Sequence, residues 1–410
     1  MLHRQLALFD DRPGSDPGSS FAEQIAAFTY EGKRTETLMK GGIPYFFNEF
    51  WTARQRQGHA LHEVSYRACF KPQLPGFFID RLTGPGDTVY DPFMGRGTTP
   101  VQAALMGRNA LGNDINPLSA YFTRPRLAPP SMIGVLDRLG EINWEAEVET
   151  PLELKVFYHP ETLQEICALR AYLSAREAAG TADPVDDWIR MVAINRLTGH
   201  SPGFFSVYSL PPNQAVSVAA QRKINEKRNQ VPPRRVVPDI IAKKSHGLLK
   251  DGVPPGNLDF RLFVGPAECT PHINTASVDL VVTSPPFLDI VQYSNDNWLR
   301  CWFVGTNFET VPISMHKKPD DWTAFTRRIF LELQRIVRPG GHVAYEVGEV
   351  RNGKVELDRL VLEAIDGLQF EPLAVVVNVQ EFTKTANCWG INNNAKGTNT
   401  NRIIVARRHG

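Results

Sequence analysis

The chain has no apolar run long enough to span a bilayer, and its start, Met1-Leu-His-Arg-Gln5, lacks the apolar segment of a secretory signal. A cytosolic protein is expected. Its five cysteines, Cys69, Cys167, Cys269, Cys301 and Cys388, are odd in number, widely scattered and never spaced Cys-x-x-Cys. That argues against a disulfide framework or a cysteine zinc site and for reduced thiols. The ten histidines show no paired ligand spacing, so no metal is expected. An excess of either charge is missing too: 45 Lys and Arg face 44 Asp and Glu, for a net +1. A globally basic nucleic-acid binder is excluded, and any basic surface must be local.

What is present begins with enough apolar residues for a core, 42% of 410, in a chain long for one compact domain. One large core with a sizeable insertion, or two domains, is expected. The informative stretch is Ser277-Val-Asp-Leu-Val-Val-Thr-Ser-Pro-Pro-Phe287. Val278, Leu280, Val281 and Val282 read as a buried parallel strand. Pro285 and Pro286 cannot donate to a ladder, so the strand stops there and the carbonyls of Ser284 and Pro285 are free to accept. At the carboxyl end of a parallel strand this makes a rigid acceptor turn with an aromatic ring, Phe287, beside it. It suits a flat base carrying an exocyclic amine; it also suits an ordinary strand-ending turn.

A second pattern lies upstream. The strand Thr88-Val-Tyr90 runs into Asp91-Pro-Phe-Met-Gly-Arg-Gly-Thr-Thr99, then a helix, then the strand Asn109–Asp114. Strand, glycine loop, helix, strand and acid is the order of a nucleotide-type cofactor site. Gly95 and Gly97 allow close backbone approach, and Asp114 can accept from ribose hydroxyls. Thr98 and Thr99 stand where a dinucleotide fingerprint continues toward its third glycine, which favours a cofactor without phosphates.

Together, Asp91–Thr99 and Thr283–Phe287 resemble the S-adenosylmethionine-dependent DNA amino-methyltransferases, which modify the exocyclic amine of cytosine or adenine. The resemblance covers about Ser65–Leu118 and Phe260–Arg408. It implies a cofactor site of Asp91, Phe93, Gly95, Gly97, Thr98, Thr99 and Asp114, closed by the segment carrying Phe70 and Lys71. It also implies a catalytic turn of Ser284, Pro285, Pro286 and Phe287, in the serine version more typical of cytosine-N4 enzymes. A C5-methylating enzyme would need a Pro-Cys nucleophile, and no Pro-Cys pair occurs. After the third strand, where the family often places an acid against the adenine amine, this chain has Pro266-Ala267 with Glu268 just beyond.

The expected fold is α/β: a doubly wound, mostly parallel, Rossmann-like methyltransferase sheet with an antiparallel C-terminal strand and an inserted recognition region. Residues 1–60 are an extension, 61–118 the cofactor half, 119–259 the insertion and 260–410 the catalytic half. In the extension, Tyr45, Phe46, Phe47, Phe50 and Trp51 are expected to pack on the core. Within the insertion Arg222, Lys223, Lys227, Arg228, Arg234, Arg235, Lys243 and Lys244 gather against only Glu226 and Asp239. Such a run can be a solvated face; beside a base-modifying core it reads as a phosphate grip. The expected partner is double-stranded DNA, and a cognate restriction endonuclease is a further partner for this class. RNA-base methylation, adenine-N6 methylation and a non-catalytic binder stay open as alternatives.

Overall fold

A computed structural model describes residues 19–51, 58–66, 69–209, 214–288, 296–307, 311, 316–350, 355–379 and 400–410. The long connection 385–400, whose length suggests a nucleic-acid contact, lies outside them except for Thr400.

The organising element is a nine-stranded sheet. In chain order its strands are β1 (Glu36–Lys40), β2 (Ile43–Asn48), β3 (Thr88–Asp91), β4 (Asn109–Asp114), β5 (Phe260–Val264), β6 (Val278–Thr283), β7 (Val337–Val347), β8 (Phe370–Val379) and β9 (Thr400–Arg408). In space they run β1-β2-β8-β9-β7-β6-β3-β4-β5. Strands β7, β6, β3, β4 and β5 are mutually parallel. β9 inserts antiparallel between β7 and β8. The order reverses between β3 and β6, where an open α/β sheet offers a crevice at its carboxyl ends. The expected α/β sheet with one antiparallel strand near the C-terminus is what the chain forms.

The helices that position the site are α1 (Gln73–Leu82), α2 (Thr98–Leu105) and α3 (Leu118–Leu127). They pack on one face of the sheet. On the other face lie α9 (Pro319–Ile336) and α10 (Leu357–Ile365). The apolar stripe of α9, Trp322, Phe325, Ile329, Leu333 and Ile336, is buried as its helical spacing demands. Between β4 and β5 the chain adds α4 (Met132–Glu141), α5 (Pro160–Ala178), α6 (Pro184–Arg196) and α7 (Val218–Arg228), with α8 (Val237–Leu249) closing the block.

 

Leu163, Ile166, Leu169 and Leu173 of α5 and Trp188 and Val192 of α6 join the same buried cluster as Leu280 and Val282 of the sheet. The helical block therefore shares its core with the sheet.

Two features were not read from sequence. The N-terminal aromatics do pack inside, with Phe50, Trp51, Phe77 and Phe78 in mutual ring contact. They arrive there on a β-hairpin that widens the sheet, β2 pairing parallel with β8. Gly41-Gly42, both at positive φ, was the available signal. The second is Pro339-Gly-Gly341, a composition that would stop a helix. The helix ends at Ile336 and β7 starts at once, carrying this tripeptide where the β6–β7 register shifts between Val278 and Leu280. A Cβ on Gly341 would lie 2.9 Å from the Arg338 carbonyl and 3.0 Å from that of Asp279, so only glycine fits.

Candidate active site

The carboxyl ends of β3, β4 and β6 hold the residues singled out above. After β3 the loop turns through Gly95 and Gly97 at φ of 51° and 76°. A Cβ on Gly97 would meet the Thr123 hydroxyl at 2.2 Å, so α3 presses directly on the loop. Asp114, at the tip of β4, accepts from the Gly95 amide at 2.8 Å and the Asn116 amide at 2.8 Å. It is half-buried, and burial raises its pKa against the pull of these amides and the Ser119 hydroxyl. One carboxylate thus fixes the glycine loop while facing the crevice.

Asp91 links the two halves. Its Oδ1 accepts from the Thr283 hydroxyl at 2.6 Å and from the Phe93 amide at 3.0 Å. Oδ2 is buried with no hydrogen-bond partner among the described residues. Burial pushes the Asp91 pKa up to about 7, with the Thr283 and Phe93 bonds opposing it. Thr99 is fully buried and donates to the Val282 carbonyl at 3.0 Å, while Thr98 accepts from Arg96 Nε at 3.1 Å. Both threonines, expected at the cofactor, have these hydroxyls engaged within the protein, and Thr99 fastens the loop to the sheet. Phe93 is half-buried with its ring 6.2 Å from that of Phe325.

The segment carrying Phe70 and Lys71 is tied down by arginines. Arg96, between the two glycines, donates to the carbonyls of Val64 at 2.8 Å and Phe70 at 3.2 Å. Arg126 of α3, fully buried, donates to the Leu61 carbonyl at 3.0 Å, and Arg300 reaches that of Ser65 at 3.1 Å. Burial lowers Arg126 to about 9 and Arg300 to about 10, in both cases as the largest cause. Phe70 is half-buried against the core, whereas Lys71 is exposed.

The Ser-Pro-Pro-Phe turn follows β6 directly. Pro285 is buried; Ser284, Pro286 and Phe287 are half-buried. The indole of Trp322, fully buried in α9, donates to the Pro286 carbonyl at 2.9 Å and sets the turn's angle. The residue missed from sequence is Glu346. It sits on β7, the strand beside β6, one position beyond the Thr283–Tyr345 register pair. Its buried carboxylate accepts a hydrogen bond from the Ser284 hydroxyl. Burial raises its pKa to about 7, and the Ser284 bond holds it from going higher. A single acid inside an otherwise apolar strand, Val343-Ala-Tyr-Glu-Val347, was the sequence signal for it.

These two carboxyls set a pH dependence of folding. Both keep a proton in the folded chain at pH values where the unfolded groups, near 3.8 and 4.5, have lost it. Stability is fully present below the unfolded values and falls as pH rises through about 7. Glu346→Gln should flatten that fall, read as urea-unfolding free energy at about pH 5 and about pH 8. An unchanged pH slope would mean that Glu346 is not the group responsible.

A glycine loop and an acid-capped strand thus lie beside a proline-ended turn backed by a buried carboxylate. Residues 24–121 match the family model described as DNA methylase. The chain is 40% identical over 74 residues to the type II methyltransferase M.MjaII of Methanocaldococcus jannaschii, covering 18% of this chain and 14% of that protein. It is 30% identical over 116 residues to the type II methyltransferase M.BsoBI of Geobacillus stearothermophilus, covering 26% and 21%. By these matches, parts of the chain are similar to DNA methylase and type II methyltransferase sequences. The matched segments span less than a third of each curated relative's length. Among solved structures, a geranyl diphosphate methyltransferase in complex with SAM aligns over 82% of this chain and 85% of that one, at 12% identity and a TM-score of 0.33. An rRNA methylase from Streptococcus thermophilus aligns over 84% and 99%, at 8% identity and a TM-score of 0.32. At such scores these superpositions carry no weight for function.

Proposed function

We propose that the chain transfers a methyl group from S-adenosylmethionine to the exocyclic amine of a base flipped out of double-stranded DNA, with cytosine N4 as the target. The observation that carries this reading is the double fastening of the turn. Thr283 bonds Asp91 of the glycine loop, and Ser284 bonds the buried Glu346.

The residues fit the cofactor. Gly95 and Gly97 bring bare backbone to the crevice, Asp114 offers its carboxylate for ribose hydroxyls, and the unpartnered Asp91 Oδ2 is an acceptor for a cationic group. When bound, the cofactor supplies an electrophilic methyl on a sulfonium. The amine of a base is a poor nucleophile because its lone pair is delocalised into the ring. Acceptors at Ser284 Oγ and the Pro285 carbonyl would draw its hydrogens out of plane and aim the lone pair outward. The Ser284 hydroxyl donates to Glu346, so its lone pairs can face the amine. Once the amine carries the new methyl, its surplus proton can pass through Ser284 to Glu346. Phe287 would replace the stacking lost when the base leaves the duplex.

The preference for cytosine rests on Ser284, the serine version of the turn being the one the resemblance links to cytosine-N4 methylation. Nucleoside mass spectrometry of DNA methylated by the purified chain should show N4-methylcytosine. N6-methyladenine alone would overturn the target base and leave the chemistry in place.

The grip on DNA is proposed for the exposed cations of the helical block, where the structure divides the basic stretch. Arg222, Lys223, Lys227, Arg228 and Lys243 are exposed, with the Arg228 guanidinium 3.7 Å from the centre of the Tyr208 ring. Arg234 is instead forked between Glu161, at 2.8 Å, and Glu165, and Lys244 pairs with Glu63 at 3.0 Å. The Arg235 backbone is held by Thr162. Arg234 and Arg235 thus bind α5 to the link before α8, and Lys244 ties α8 to the segment ahead of α1. Replacing Arg222, Lys223 and Lys227 by Ala should weaken binding to cognate and unrelated duplexes alike. Each lost phosphate contact should flatten the slope of log affinity against log salt by about 0.9. An unchanged slope would return the stretch to a solvated surface. A cognate restriction endonuclease remains a proposed partner on the strength of the type II relatives.

A further inference from the structure

The outermost strand of the sheet is built like half of a symmetric interface. β1, Glu36-Thr-Leu-Met-Lys40, is exposed at every residue, and Leu38 and Met39 leave 49% and 59% of their surface in solvent. It joins β2 through the turn Gly41-Gly42, whose φ values of 57° and 80° fit a type I′ hairpin. In such a hairpin the pair flanking the turn, Lys40 and Ile43, is hydrogen-bonded, and bonding alternates along the strand from there. Glu36, Leu38 and Lys40 thus bond inward to β2, and the N–H and C=O groups of Thr37 and Met39 point outward. Among the described residues no strand pairs with that outer edge.

Exposed edges are commonly protected by proline, a bulge or an awkwardly placed charge. β1 has no proline and no bulge, and its two charges are opposite in sign and sit at opposite ends. Turned about a two-fold axis through Leu38, the strand meets its copy with Thr37 opposite Met39, Leu38 opposite Leu38, and Glu36 opposite Lys40. The hydrogen-bond pattern agrees with this register. The Thr37–Met39 pairs are the bonded ones, and the leucine and charge pairs fall where facing side chains come closest. Other registers lose this match. A one-residue slip sets inward-bonding residues against outward-bonding ones. A two-residue slip either dissolves the charge pairs or faces Lys40 with Arg34. Lys40 lies with its Nζ 4.9 Å from the centre of the Tyr45 ring, on the face it shares with Leu38 and Glu36.

We propose that β1 pairs antiparallel with β1 of a second copy of this chain, joining two sheets into one across a two-fold axis. The contact is short, below the roughly 1,200 Å² of a standard interface, so the dimer should be concentration-dependent. Sedimentation velocity over a concentration series tests it on the full chain. Wild type should pass from monomer to dimer. Lys40→Glu and Glu36→Lys each set like charges together at both ends and should raise the dimer dissociation constant by about tenfold or more. The double variant restores opposite charges and should return it to near the wild-type value. Far-ultraviolet circular dichroism of the variants checks that all are folded. A wild type that stays monomeric throughout would overturn the proposal, whatever else covers the edge. A dimer that ignores both single reversals, or a double variant no better than the singles, would overturn it too.

Discussion

Glu346→Gln should lower kcat for DNA methylation by about a hundredfold or more while leaving the affinity for S-adenosylmethionine nearly unchanged. The amide can still accept from the Ser284 hydroxyl, so the turn keeps its shape, but it cannot take a proton. Wild-type kcat should rise with pH through about 7, where Glu346 loses its proton and becomes able to accept one. In Glu346→Gln that limb should disappear. If it persisted, the titration would belong to Asp91, whose carboxyl also stands at about 7. Ser284→Ala should produce a similar loss of turnover with the cofactor still bound. Because serine and glutamate act in one path, the double variant should be little worse than either single one. Single-turnover rates and calorimetric cofactor titrations on the three variants check each part. Equal loss of turnover and of cofactor affinity in Ser284→Ala would mean that the turn is misplaced in this account.

Asp114→Ala is the second large effect, and it falls on binding. The carboxylate is proposed to accept from ribose hydroxyls, a charge-assisted contact whose loss costs about 1.5–3 kcal/mol, or roughly 10- to 150-fold in Kd. It also holds the amides of Gly95 and Asn116, so its removal frees the glycine loop as well. The loss should therefore lie at the upper end of that range. Asp114→Asn, which keeps an acceptor oxygen, should recover part of it. Isothermal titration with S-adenosylmethionine gives both values. Unchanged affinity in Asp114→Ala would remove this residue from the cofactor site.

Much of this site could be read from residue order because its signals are local. A glycine loop needs its glycines in sequence, and an acid capping the next strand falls at a fixed distance from them. Ser284–Phe287 announces itself because two prolines end a β-branched run. The bonds that assemble the halves are another matter. Thr283 and Asp91 lie 192 positions apart, and nothing in either segment states that one will donate to the other. Glu346 is a single acid in an apolar strand, which marks it as unusual but does not name Ser284 as its partner. The division of the basic stretch was hidden for the same reason: Arg234, in the link between α7 and α8, resembles its neighbours until Glu161 and Glu165 arrive from α5. The β1–β2 hairpin has a local signal in Gly41-Gly42, but the aromatic residues after it also fit plain core packing, which masks the strand.

The most direct test of the proposed chemistry is transfer of a tritiated methyl group from S-adenosylmethionine by the purified chain, offered duplex DNA and total RNA in separate reactions. Label should enter DNA, should survive into the nucleoside fraction on an exocyclic amine, and should be abolished by Ser284→Ala. Label that enters RNA and spares DNA, or that enters neither while the cofactor binds, would contradict a DNA amino-methyltransferase activity.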